Sequence, residues 1–248
     1  MTSFPIFLLQ SGEVMAREKI ACAFSDYPVQ YCSYEKLDQT TKEGLTKFVP
    51  VGSVEFVQRY CEQVGIPPLP PLGFQDLLDP YLHRKVRLGV LSEASPEEFV
   101  KPSESIKLFT GCRRSEVPPE IPLETPVLIS DFVPFESEFR FYIHDFVPGP
   151  KVFGWARYDG NPVVNPEPDV GLVERIAKEI HDYLGPNSYS IDIGWRPDLG
   201  EYSLVEVNDG WSLGLYENRD PQSSPPSRKD YAEMLVSRWR QIIFCCIV

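Results

Sequence analysis

Histidine is scarce, with three residues in a chain of 248, and the six cysteines at 22, 32, 61, 112, 245 and 246 form no Cys-x-x-Cys pair. Zinc-ligand spacing is therefore missing, and no Ser/His/Asp or Cys/His pattern for nucleophilic catalysis emerges. Positive charge is also short: 24 Lys and Arg against 36 Asp and Glu leave a formal net charge of −12. That balance argues against a broad nucleic-acid or anionic-membrane surface, although a local basic pocket needs only a few residues. No apolar run reaches the length of a bilayer span, and Met1-Thr2-Ser3-Phe4-Pro5 does not read as a signal peptide. The expectation is a cytoplasmic protein in a reducing compartment. Cys245-Cys246-Ile247-Val248 has the outline of a prenylation box. The same residues also read as an apolar helix tail packed on the body, and Arg238 and Arg240 are the only upstream basic partners.

Proline, by contrast, is abundant at 25 residues, about twice the usual share of roughly 5%. The prolines are spread through loops between apolar runs, so the chain reads as globular and loop-rich. With 42% hydrophobic and 12% aromatic residues, it can bury a sizeable core in one large or two small domains. Pro5 to Leu9, Ile20 to Phe24 and Val29 to Tyr34 read as strands of an N-terminal α/β unit. A helix is expected from Val54 to Val64, capped by Ser53 and closed by Gly65. The stiff connector Ile66-Pro67-Pro68-Leu69-Pro70-Pro71-Leu72 marks a domain boundary. Beyond it, Lys85 to Leu91, Glu98 to Pro102 and Pro126 to Val133 read as strands. Glu136 to Asp145 and Val152 to Tyr158 continue an antiparallel meander. Helices are expected at Leu172 to Leu184 and at Tyr231 to Ile243, the latter with Ser227 as a cap.

The most informative stretch is a hairpin. Tyr189 to Trp195 and Glu201 to Gly210 both alternate and are rich in β-branched and aromatic residues, with Arg196-Pro197-Asp198-Leu199-Gly200 as the turn. Folding it symmetrically about Leu199 sets Asp192 opposite Glu206. Leu204, Glu206 and Asn208 then share a face, since side chains repeat every two residues. Two carboxylates directly across a hairpin repel, unless Asp192, Glu206 and Asn208 offer three oxygens to a hard cation such as Mg²⁺. The alternative is an exposed ribbon with a solvated acidic face, against which stand the apolar neighbours Leu204, Val205 and Val207. On the metal reading, Asp192→Asn or Glu206→Gln removes turnover and spares the fold.

Three cations could answer this acidic face. Lys101 lies in an otherwise apolar strand, Arg140 shares a strand face with Glu138, and Arg157 follows in Gly154-Trp155-Ala156-Arg157. Such groups suit phosphate oxygens, Arg in bidentate fashion. They also suit plain surface ion pairs, and the residues alone leave both readings open.

The order of these parts resembles the ATP-grasp fold, and within it a compact clade characterised by two arginines and a lysine. The resemblance runs from about Val51 to Trp239. It is carried by Phe99-Val100-Lys101-Pro102, Glu138-Phe139-Arg140-Phe141-Tyr142, Ser190-Ile191-Asp192-Ile193-Gly194 and the run from Leu204 to Gly214. It implies an α+β architecture in which two subdomains sandwich a nucleotide, after a small α/β pre-ATP-grasp domain. Residues 1–70 would form that first domain and 71–248 the ATP-grasp domain, with a small subdomain near 80–130 and a metal-binding one from 131.

Residue by residue, the resemblance makes Lys101 the nucleotide-binding lysine, and Asp131 and Val133 part of the linker that meets adenine. Glu138 would take the ribose, Arg140 and Arg157 the phosphates or an acyl-phosphate, and Asp192, Glu206 and Asn208 the metal. An earlier basic residue could be Arg84, Lys85 or Arg87. The implied cofactors are ATP and Mg²⁺. The implied partners are a small-molecule or peptide carboxylate and an amine acceptor, which such proteins join through an acyl-phosphate. Phosphoryl transfer needs positioned cations and no protein nucleophile, in line with the missing nucleophile patterns. A phosphotransferase on the same fold and a non-catalytic nucleotide-binding module are the rival readings, with nucleic-acid processing ranked last.

Overall fold

The computed structural model describes residues 5–40, 47–72, 76–104, 108–146, 149–160, 167–216 and 223–247. The chain opens with β1 (Ile6–Gln10), α1 (Ala16–Ala23), β2 (Val29–Cys32), a short α2 (Leu37–Thr40), β3 (Phe48–Val51) and α3 (Val54–Val64). β1 lies between β2 and β3 and runs parallel to both. Parallel neighbours need crossover connections, which the helices supply. α1 covers most of the stretch expected as a strand, Ile20 to Phe24. Ala16, Arg17, Glu18 and Lys19 favour helix, and Ala21 and Cys22 of the same helix are buried in the core. β3 is a strand that the sequence does not announce. Its Pro50 is tolerated because β3 forms an edge of the sheet. α3 begins and ends as its signals predict: the Ser53 hydroxyl accepts from the Phe56 amide at 3.2 Å, and Gly65 closes it at φ +76°.

After the proline connector come α4 (Asp79–Leu82), β4 (Val86–Val90), β5 (Phe99–Pro102), β6 (Cys112–Arg113) and β7 (Pro126–Ser130). These strands form an antiparallel sheet of order β4-β7-β5-β6. β8 (Ser137–Phe146), β9 (Gly149–Gly160), α5 (Val170–Leu184), β10 (Ser188–Arg196), β11 (Glu201–Asp209) and α6 (Arg228–Ile247) complete the chain. Their strands make a larger antiparallel sheet of order β11-β10-β8-β9. The expected continuous meander therefore divides. β7 stays in the smaller sheet, and the segment from Asp131 to Glu136 crosses to the larger one.

Strand alternation gives the larger sheet two different faces. Phe139, Phe141 and Ile143 of β8, with Ile191 and Ile193 of β10, pack against Val173, Ile176 and Ile180 of α5. Tyr142, on the opposite face, enters the core of the N-terminal sheet. That core is completed by α6, whose Tyr231, Leu235 and Trp239 pack with Phe7, Leu8 and Tyr60. The proline connector thus divides the chain in sequence, whereas the N-terminal sheet shares its core with the C-terminal helix. Cys245 and Cys246 are exposed on the last turn of α6, and Ile242 is the buried residue nearest to them. Among the described residues, no helix is long and apolar enough to cross a membrane.

Candidate functional site

The neighbouring strands β8, β10 and β11 set Arg140, Asp192 and Glu206 in one cross-strand row. Asp192 is fully buried, and its two carboxylate oxygens accept from Arg140 Nε at 2.9 Å and Nη2 at 2.6 Å. Arg140 Nη2 also lies 3.6 Å from Glu206 Oε1, and its guanidinium sits 4.8 Å from the Tyr216 ring centre. Lys101, carried by β5 of the facing sheet, donates to Glu206 Oε2. Asn208 Nδ2 donates to Oε1 of the same carboxylate at 2.9 Å. The two carboxylates across the hairpin are thus reconciled by two cations, one from each sheet.

These contacts govern ionisation. Burial pushes the Glu206 carboxyl up, but Lys101 and Arg140 outweigh it and hold the pKa down at about 2. Burial likewise pushes Asp192 up, with Arg140 opposing it. Glu138 is raised, first by burial and further by Asp192, Asp159 and Glu206, while the Tyr158 hydroxyl bonded to it at 2.6 Å resists the rise. A carboxylate depressed in the folded state contributes stability above its unfolded pKa and loses it as pH falls through the folded value. Glu206 should therefore contribute fully above about pH 4.5 and lose that share towards about pH 2, a loss of about 2 kcal/mol after screening of the partly exposed side chain. Urea unfolding between these pH values is expected to show the loss in the wild type and a flatter profile in Glu206→Gln. Parallel profiles would refute the assignment.

The Lys101–Glu206 contact lies where two cavities meet. The first, about 430 Å³, is lined by Lys101, Asp131, Val133, Glu138 and Glu206 among others. Phe135 also lines it, and its ring lies over Gly194 so closely that a Cβ there would come within 2.3 Å of it. The second, about 540 Å³, is bordered by Lys101, Glu206, Asn208 and Trp211, and by Val54 and Pro70 from the N-terminal part of the chain.

Of the nine residues singled out from the sequence, six border these cavities. The other three are placed differently. Arg140 is engaged with Asp192, is only 7% exposed and borders neither cavity. Asp192 gives both oxygens to Arg140 and borders neither cavity, so here it is the ion-pair partner of Arg140. Arg157 pairs across the strands with Phe139 and lies 4.6 Å from that ring centre, on the face covered by α5. A bulge at Tyr158 causes this: Glu138 pairs with Asp159 but Phe139 with Arg157, which turns Tyr158 into the cleft in place of the arginine. Among the described residues, no three His, Cys, Asp or Glu side chains converge as a metal set. Glu206 and the Asn208 amide oxygen still fit a divalent cation such as Mg²⁺, which usually takes one or two protein oxygens and fills its shell with phosphate and water.

The hairpin register explains why Glu206 faces the cleft. Near the turn Ile193 pairs with Leu204, whereas deeper in, Asp192 pairs with Glu206, leaving Val205 as a bulge. Leu204 and Val207, three residues apart, accordingly enter the same core. The expectation that Leu204 shares a face with Glu206 and Asn208 holds only for the last two. Arg84, one of three candidates for an earlier basic residue, also borders the first cavity. Its guanidinium donates to the carbonyls of Leu204 at 2.7 Å and Val205 at 2.8 Å. Tyr158 and Tyr216, stacked at 4.7 Å, are site residues that alternation alone did not reveal.

No curated protein matches this sequence. Among solved structures, the ADP complex of purK, an N5-carboxyaminoimidazole ribonucleotide synthetase, superposes with TM-score 0.57 at 14% identity, covering 97% of this chain and 79% of that one. D-alanyl-alanine synthetase A from Vibrio cholerae gives TM-score 0.57 at 13% identity, covering 98% of this chain and 100% of the other. A RimK domain ATP-grasp protein from Sphaerobacter thermophilus gives 0.52 at 14% identity, over 84% and 92%. At such identities these likenesses speak for the fold. The sequence from 81 to 223, which holds the smaller sheet, the cleft and the acidic hairpin, matches the model of the ATP-grasp domain, R₂K clade family 2, and the chain belongs to that family.

Proposed function

We propose that this protein is an ATP- and Mg²⁺-dependent ligase that joins a carboxylate to an amine through an acyl-phosphate. The observation that carries the reading is the meeting of Lys101 and Glu206, from facing sheets, at the junction of two cavities. The nucleotide takes the first cavity, with adenine along Asp131 to Val133 and the ribose hydroxyls on Glu138. The carboxylate and the amine, as small molecules or as parts of a peptide, take the second, to which the N-terminal part of the chain contributes Val54 and Pro70. Lys101 exchanges Glu206 for phosphate oxygens, and Glu206 and Asn208 are freed to hold the cation. Bound Mg²⁺ neutralises phosphate charge. Arg140 and Asp192 are positioning residues that fix the charge and orientation of Glu206. Two of the fold relatives are named synthetases, and one is described as an ADP complex, in keeping with this reading.

The test supplies Mg-ATP, hydroxylamine and pools of amino acids and short peptides. Hydroxylamine converts an acyl-phosphate to a hydroxamate, so ADP and hydroxamate should appear together and vanish in Lys101→Met. ADP release with a phosphorylated acceptor and no hydroxamate would make the protein a phosphotransferase. Nucleotide binding without ADP release across the pools would make it a binding module.

A further inference from the structure

The bulge at Val205 decides on which face Glu206 stands. If the pairing set near the turn, Ile193 with Leu204, continued without it, Val205 would meet Asp192 and Glu206 would meet Ile191. Ile191 is buried in the core under α5. A one-residue change of register moves every side chain beyond it to the other face, so the carboxylate would leave the cleft. A bulge also takes its carbonyls out of the regular ladder, and they need other donors.

We infer that Arg84 is a positioning residue that locks this bulge and thereby holds Glu206 in the cleft. Its two terminal nitrogens reach the Leu204 and Val205 carbonyls at 2.7 and 2.8 Å, and a further bond to the Leu82 carbonyl at 3.3 Å ties the clamp to the end of α4. Two adjacent carbonyls match the planar fork of a guanidinium, which a lysine ammonium cannot span in the same way. The guanidinium also sits 5.8 Å from the ring centre of Phe135 in the crossing segment. Arg84 therefore joins the entry of the smaller sheet to β11 of the larger one, at the residue before Glu206. Burial pulls its pKa down to about 10, helped by Arg196. This inference rests on the proposed nucleotide site for its consequence, and on the backbone geometry for its cause.

Both parts can be read in the full chain with Arg84→Met and Arg84→Lys. Amide hydrogen exchange at Val205, Glu206 and Val207 is expected to accelerate about tenfold or more in Arg84→Met, with β1 amides unchanged, and to be partly restored by Lys. Binding of a non-hydrolysable ATP analogue is then measured with and without Mg²⁺. Arg84→Met should lose the Mg²⁺-dependent gain that Glu206→Gln also loses, and the double variant should lose no more than either. Unchanged exchange at Val205 to Val207 overturns the lock. Accelerated exchange with a full Mg²⁺ gain, or additive losses, overturns its link to Glu206. If the wild type itself shows no Mg²⁺-dependent binding, the nucleotide reading fails, and the exchange data still decide the lock. Should Arg84→Met not fold, Arg84→Lys carries the same comparison.

Discussion

Asp192→Asn is expected to cost about 3–5 kcal/mol of folding stability, the usual result of removing one partner from a buried ion pair. Asp192 is fully buried and Arg140 is only 7% exposed. Once the carboxylate becomes an amide, the guanidinium keeps its charge but loses its counter-charge and one of two short bonds, because asparagine offers one acceptor oxygen and turns an NH₂ donor towards the other guanidinium nitrogen. Glu206, 3.6 Å away, is already shared with Lys101 and Asn208 and compensates little. Urea unfolding measures the effect directly. Arg140→Met in the same background should recover much of the loss, since an apolar pair of similar volume no longer strands a charge. A loss below about 1 kcal/mol for Asp192→Asn would mean that the pair contributes little. This differs from the outcome expected of a metal ligand, whose removal spares the fold. Buried position and bidentate pairing make Asp192 part of the framework that the site depends on.

How much of this was legible in the sequence depends on how local each signal is. The caps of α3 and the turn at Pro197 to Gly200 lie within a few residues, and each formed as read. The pairing of Asp192 with Glu206 was also legible, but by a partly mistaken route. Folding about Leu199 gives the right partner deep in the hairpin, while the turn itself sets a register one residue different. Val205 absorbs the discrepancy, and nothing in Leu204-Val205-Glu206 marks it as a bulge. The second bulge, at Tyr158, hid the true orientation of Arg157 for the same reason. Alternation tells which residues share a face, but not which face stays open. Hence Arg140 was correctly placed beside Glu138, yet it is closed off by Asp192 and Tyr216. At α1 the preceding helix formers Ala16 to Lys19 carry the short apolar run into a helix, and its Ala21 and Cys22 are buried in the N-terminal core. Arg84 could not have been separated from Lys85 and Arg87 by residue type. Only the position of two carbonyls from β11 distinguishes it.

The second large effect concerns ligand linkage. A non-hydrolysable ATP analogue with Mg²⁺, at about a hundred times its dissociation constant, should stabilise the wild type by roughly 2.7 kcal/mol. For a chain of this size that is a rise of about 5–10 °C in Tm. The gain must be net of breaking the Lys101–Glu206 contact, because both groups satisfy each other before any ligand arrives. This coupling gives the two single variants different signatures. In Glu206→Gln, Lys101 is released for phosphate, so nucleotide alone should bind at least as well as in the wild type while added Mg²⁺ contributes little. In Lys101→Met, Glu206 keeps Arg140 and Asn208 but loses the nearer of its two cations, so Mg²⁺ alone should stabilise more strongly and nucleotide alone should bind worse. A thermal-shift matrix of three proteins against nucleotide, Mg²⁺ and both together separates these cases. Equal shifts in all three would remove Lys101 and Glu206 from the ligand site, and with them the reason to place phosphate at the junction of the two cavities. Opposite responses of the two variants would tie the ion pair to nucleotide entry: a contact that links the facing sheets is the one that the ligand must divide.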